Sequence, residues 1–179
     1  MKGSKFFLYA VLMAVLAGVV TLATWQMNGF LVQSSTPLTY ITFVGWAAYF
    51  LIGADVKSAV LAAGSAVAGI VAAIFMFVLA IAFGFAPWWA VPVGVIIVVP
   101  FMIYCEKVKP ISNTSIIFMS TGLYFSLAAA GALPAFTPAT YAMAGIAELV
   151  YMIIGFIAGW LSIKIVGLCS TPSEGAKTE

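Results

Sequence analysis

The chain has 179 residues, of which 65% are hydrophobic and 7% charged, and its mean hydropathy is +1.21. A soluble domain carries about a quarter charged residues, so this chain has too little polar surface to cover an apolar core, and lipid is its expected solvent. Seven lysines against five acids leave a net charge of +2, with no arginine, no histidine and no basic stripe, which argues against a nucleic-acid partner.

In chain order, Met1–Lys5 sets two lysines before the apolar run Phe6–Gln26. That run is about 20 residues, longer than the ~7–15 residues of a signal-peptide core, and no small-x-small cleavage site follows, so a retained first membrane helix is expected. Trp25, Gln26 and Asn28 mark its far interface. The uncharged, turn-rich loop Met27–Pro37 leads to a second helix expected over Leu38–Gly53 and interrupted at Gly45. At 1.5 Å per residue it reaches about 24 Å, short of the ~30 Å hydrocarbon layer. Asp55 and Lys57 end that run, and a long third helix is expected over Ser58–Phe83. Its small residues, Ala62, Ala63, Ser65, Ala66, Ala68, Gly69, Ala72 and Ala73, suit the close approach of another helix.

Gly84–Pro87 reads as a turn, and Trp88 and Trp89 as interfacial anchors of a fourth helix, Trp88–Tyr104. Pro92 falls in its first turns, whereas Pro100 is interior and is expected to kink the helix or free a carbonyl. The loop Cys105–Ser112 carries Glu106, Lys107 and Lys109. The fifth helix, Asn113–Ala130, is again short and interrupted by Gly, at Gly122, and is unusually polar, with Asn113, Thr114, Ser115, Ser120, Thr121 and Ser126. After the uncharged loop Gly131–Pro138 comes the longest helix, Ala139–Leu168. It holds Glu148, the sole acid well inside any span, and the helix-approach motif Gly155-x-x-x-Gly159. Residues 1–169 thus read as one six-helix transmembrane domain, and the polar tail 170–179 as disordered.

The sequence also repeats itself. Ser65–Gly84 shifted by 76 positions lands on Tyr141–Trp160, with seven of twenty positions identical, among them Gly69/Gly145 and Met76/Met152. Phe43–Phe50 runs against Phe118–Phe125 at an offset of 75, aligning Tyr49 with Tyr124. Two adjacent matches at nearly one offset define repeats over about 6–84 and 88–163. With six spans and the N-terminus inside, every lysine falls on the cytoplasmic face and the outer loops carry no charge. Both termini are therefore expected in the cytoplasm of a cell whose inner membrane holds the protein. Three spans per repeat is an odd number, so the second repeat must enter the membrane upside down. The expected fold class is an all-α, polytopic, 3+3 inverted-topology repeat. Cys105 and Cys169 lie on the cytoplasmic face and are expected to be reduced thiols.

The pattern Trp46-Ala47-Ala48-Tyr49-Phe50, then Gly53, Lys57 and Ser65-x-x-x-Gly69, together with the Phe118–Ala130 segment, resembles a small bacterial inner-membrane family catalogued as domain of unknown function 1097. The likeness covers about 160 residues. It implies a six-helix inner-membrane protein and brings no substrate and no functional residues, so function rests on the residues themselves.

Short segments at corresponding positions of an inverted repeat point to a substrate path, which makes the second and fifth helices its expected lining. The candidate path residues are Trp46, Tyr49, Ser120, Thr121, Tyr124 and Glu148. An anion path usually uses Arg or Lys and a cation channel carboxylate rings, and neither pattern is present. No Ser/His pair, no HExxH motif and no paired intramembrane aspartates are present, so no enzyme is expected. No cofactor and no metal is implied either. What remains suits a small neutral or weakly polar solute, such as urea, a short amide, a small alcohol or a protonated weak acid. Hydrocarbon favours the neutral form of Glu148, for which Ser120, Thr121 and Tyr151 are candidate partners. Small residues and aromatic rims suggest homo-oligomers in the bilayer. The rival expectation is a non-transporting scaffold or accessory subunit.

Overall fold

A computed structural model of the chain describes residues 3–84 and 88–169. The turn expected at 85–87, the tail at 170–179, Lys2 and Lys177 lie outside the described residues. The fold is all-helical: α1 (Gly3–Gln26), α2 (Thr39–Leu51), α3 (Val56–Ala82), α4 (Ala90–Tyr104), α5 (Thr114–Ala129) and α6 (Pro138–Cys169), with a short 3-10 turn at Cys105–Lys107. Among the described residues α1, α3, α4 with its 3-10 extension, and α6 are long and apolar enough to cross a membrane. With 13 and 16 residues, α2 and α5 span only about 20 and 24 Å.

The helix ends follow from local chemistry. Asp55 caps α3 by accepting from the Ser58 amide at 2.9 Å and the Ser58 hydroxyl at 2.6 Å, and Asn113 caps α5 by accepting from the Ile116 amide at 3.2 Å. The chain turns between α2 and α3 through Gly53 at φ +111° and Ala54 at φ 58°, the left-handed region that Gly enters most freely. Pro100 lies inside α4 without ending it.

Two sequence expectations are corrected here. The helices expected to break at Gly45 and Gly122 are continuous through both residues. Gly45 is instead a contact point: a methyl group added there would lie 2.6 Å from the Met152 carbonyl oxygen on α6. A helix is broken by Gly only where solvent or a neighbour rewards the opening. Here the bare backbone is needed for close approach.

The packing is crossed between the two halves of the chain. α2 lies along α6, α5 lies along α3, and α3 and α6 meet at the centre. α1 flanks α6 and α4 flanks α3 on the outside. Small residues set each of the inner contacts. A Cβ at Gly155 would come within 2.6 Å of the Trp46 amide nitrogen, and one at Gly69 within 2.8 Å of Ser120 Cβ. The core that results joins Tyr49, Ala66, Ile70, Phe77, Ile116, Tyr124, Tyr151 and Met152, all buried. Outward faces carry exposed Phe, Val, Ile and Leu, as a lipid-facing surface requires.

Helix ends gather at two poles. At one, Asn113 donates its amide to Ser65 Oγ and Trp46 donates to Ser162 on α6, and the helix ends and loops there carry Lys5, Asp55, Lys57, Lys107, Lys109 and Lys164. At the other, the Ser35 amide and hydroxyl both donate to the Ala130 carbonyl, tying the α1–α2 loop to the end of α5.

Candidate functional site

Glu148 sits ten residues into α6, about 15 Å along its axis, and is fully buried. It points at α5, where Ser120 Oγ lies 2.5 Å from its Oε1 and 2.8 Å from the Ala66 carbonyl oxygen on α3. Three helices from both halves of the chain therefore meet at one hydroxyl. That hydroxyl has a single proton and faces two acceptors. The neutral acid satisfies both contacts: the carboxyl donates to Ser120 Oγ, and Ser120 donates to Ala66. An ionised carboxylate would retain one bond in an apolar bundle, where an isolated charge costs several kcal/mol. The second carboxyl oxygen, Oε2, is buried without a hydrogen-bond partner.

The remaining expected path residues divide into groups. Thr121, one position on, donates to the Gly69 carbonyl at 3.0 Å or to Ile117 in its own helix at 2.9 Å. Tyr124 is buried against Phe77 and donates to the Tyr141 carbonyl at 2.9 Å. Trp46 Nε1 donates to Ser162 Oγ at 2.9 Å, far along α6 from Glu148. The Tyr49 ring covers Gly159 and borders an apolar groove of about 460 Å³ between α3 and α6. The structure brings Ser120 and Glu148 into direct contact, with Thr121 and Tyr124 on adjoining turns, and places Trp46 and Tyr49 in a separate contact nearer the lysine pole. Of the three candidate partners of Glu148, Ser120 is the one bonded to it, and Tyr151 donates instead to the Thr24 carbonyl on α1 at 3.3 Å.

Two polar hollows open at opposite ends of α5. The one at the lysine-free pole holds about 440 Å³ between Ser35, Thr36, Tyr40, Ser126, Ala129 and Ala130. The other, at the lysine pole, holds about 340 Å³ and is lined mainly by Ser58, Glu106, Ser112, Asn113, Thr114 and Ser115. Each also takes a residue from one end of α2, Tyr40 or Ile52. Ser120 lies five residues from Ser115 and six from Ser126, about 7.5 and 9 Å along the helix. Glu148 is thus buried at a depth between the two hollows.

Tyr40 was missing from the sequence-based set. It borders the hollow at the lysine-free pole and has a buried, unpartnered hydroxyl. Its only sequence signal is its place beside the polar Ser34–Thr36 loop, and an aromatic there equally fits an interfacial anchor. Among the described residues no group of His, Cys, Asp and Glu could hold a metal ion, and Cys105 and Cys169 are free thiols.

An apolar helical bundle with lipid-facing surfaces and one buried carboxyl defines a polytopic membrane protein. Within that class the chain belongs to the family described as protein of unknown function (DUF1097), which matches residues 10–167. No curated protein and no solved structure matches the chain.

Proposed function

We propose that the protein is a channel or transporter for a small neutral or weakly polar solute, of the urea, amide, small-alcohol or protonated weak-acid class. Its path is lined by α2 and α5. The observation that carries this reading is the position of Glu148 between two polar hollows that share the ends of those same helices. A buried acid in a membrane span is expensive, and such residues mark solute or proton pathways. The gathering of lysines at one pole supports an inner-membrane orientation with both termini in the cytoplasm. The crossed pairing of α2 with α6 and of α5 with α3 supports the inverted repeat, because a two-fold axis in the membrane plane exchanges those two pairs. Exposed Phe43, Phe50 and Phe118 on the two short helices support self-association in the bilayer. No catalytic role is proposed.

One observation favours the scaffold alternative: Trp46, Thr121 and Tyr124 all spend their polar atoms on helix–helix bonds. Stopped-flow light scattering on proteoliposomes separates the two readings. The channel reading expects at least one of urea, acetamide, glycerol and protonated acetic acid to equilibrate faster than in protein-free vesicles. Rates equal to protein-free vesicles for the whole panel overturn it and leave the scaffold.

A further inference from the structure

We propose that Glu148 Oε2 is a binding site for an uncharged solute that both donates and accepts hydrogen bonds, a primary amide or urea, with Tyr40 at its mouth on the lysine-free side. The inference rests on the solute-path reading and deepens it. Ser120 and the Ala66 carbonyl account for one side of the carboxyl group. In the neutral acid that places the proton on the Ser120 side, Oε2 is a bare carbonyl acceptor, fully buried and without a partner. A lone buried acceptor is costly unless a donor meets it. The donor it can take is an N–H or O–H group of something that enters.

The hydroxyls of Tyr40 and Tyr141 are likewise buried and unpartnered. Tyr141 lies seven residues before Glu148 on the same face of α6, about 10 Å along the helix toward the lysine-free pole. Tyr40 borders the hollow at the lysine-free pole. A free acceptor at Glu148, reached from the lysine-free side past two free hydroxyls, suits a molecule with an N–H to give and a carbonyl to be held. An anion would meet the lone pairs of Oε2 with the lysines gathered at the other pole. A ketone of the same size has no proton for Oε2. Specificity of this kind is strong, because a buried polar group left unmatched penalises the wrong solute.

Carbodiimide labelling of the purified full-length protein in liposomes tests the site without requiring transport. A neutral carboxyl adds its O–H across the carbodiimide, and the resulting acyl group migrates to nitrogen with nothing lost, so Glu148 gains the reagent's mass. Glu148→Gln is the blank for that peptide, and detergent-unfolded protein shows that it can be labelled. Acetamide is expected to slow labelling of Glu148 about threefold when present at about twice its dissociation constant, since the unoccupied fraction falls as the reciprocal of one plus the ratio of ligand to Kd. Acetone and acetate at the same concentration should leave the rate unchanged. Tyr40→Phe should retain labelling and lose most of the protection. Equal protection by acetone, no protection by acetamide, or no label on folded protein overturns the site. Protection unchanged in Tyr40→Phe overturns the role of Tyr40. Flux in the proteoliposome assay with unprotected labelling sinks this inference alone, whereas protection without flux sinks the path reading and keeps the site.

Discussion

The α2–α6 and α5–α3 pairs share one plan, a short helix laid along a long one from the other half of the chain, yet different chemistry holds them. The α2–α6 contact is a backbone contact. Gly45 faces the Met152 carbonyl, Gly155 faces the backbone of Thr42 to Trp46, and the Trp46–Ser162 bond adds a polar tie. The α5–α3 contact is stitched by hydroxyls and amides: Ser120 to Ala66, Thr121 to Gly69 and the Asn113 amide to Ser65. Apolar side chains gain little from leaving lipid for a helix interface, so close backbone packing and polar ties are the two means available in a membrane. One pair uses the first almost alone, and the other uses both. Glu148 belongs to α6 but turns toward the hydroxyl-rich pair, so the polar chemistry of the molecule is concentrated on one side of a repeated frame.

Substitutions at the two contacts sharpen this contrast. The largest effect is expected at the backbone contact. Gly155→Ala puts a methyl group 2.6 Å from the Trp46 amide nitrogen and 2.9 Å from the Gly45 carbonyl carbon. Backbone cannot rotate away, so the loss should reach about 3 kcal/mol, at the top of the usual overpacking range. Gly145→Ala, whose new methyl would crowd the Ile70 Cγ2 methyl at 2.8 Å and no backbone atom of another helix, should be clearly milder. Unfolding in mixed micelles measures both, and equal losses would remove the distinction drawn here.

Next in size is Ser120→Ala, which leaves the Glu148 carboxyl without its hydrogen bond and should destabilise by about 1–3 kcal/mol. In a Glu148→Met background the same change should have a much smaller effect, because the group left unpaired is gone. A double-mutant cycle reads the difference directly, and a coupling near zero would mean that the 2.5 Å contact carries no energy. Thr121→Val keeps the shape and removes the bond to the Gly69 carbonyl, and should shift stability by only about 0.6 kcal/mol, the average for such bonds in membranes.

The smallest effect is expected outside the membrane, at the cap of α3. The Ser58 hydroxyl first, and the Ser58 amide second, hold the Asp55 carboxyl below its ordinary value of 3.8. A depressed folded value means that the cap's contribution is complete above about 3.8 and fades as the pH falls through the lower folded value. Amide exchange in the first turn of α3 should therefore quicken only in that acid range, and Asp55→Ala should show the quickened rate already at neutral pH. Exchange independent of pH down to the acid limit would contradict the assignment.

Much of the frame was legible in the sequence. Six apolar runs separated by charged or turn-rich loops placed every helix within three residues of its observed ends, because lipid leaves a helix as the only way to satisfy an isolated backbone span. Glu148 was legible as a candidate for the same reason, since one acid in an apolar run stands out whatever it does. The pairing was not. An offset of 75–76 says which helices correspond but not which ones touch; nothing in Gly45 distinguishes a break from a contact, and the Gly155-x-x-x-Gly159 motif signals a close approach without naming the partner. The partner of Trp46, Ser162, lies 116 residues away with no pattern joining them. The hydroxyl of Tyr40 gains meaning only once the fold buries it beside the hollow at the lysine-free pole.

The crossed pairing also bears on how the chain is made. The partner of α2 is α6, and Leu51 precedes Pro138 by 87 residues. At translation rates of about 5–20 residues per second, α2 waits roughly 4–17 s for the helix that holds it. Through that interval a 13-residue helix with a bare Gly45 face must be kept in the membrane by α1 and the insertion machinery. A nascent chain arrested after α3 should therefore remain protease-sensitive around α2, and supplying residues 88–179 as a separate polypeptide should restore protection, with neither half reaching it alone.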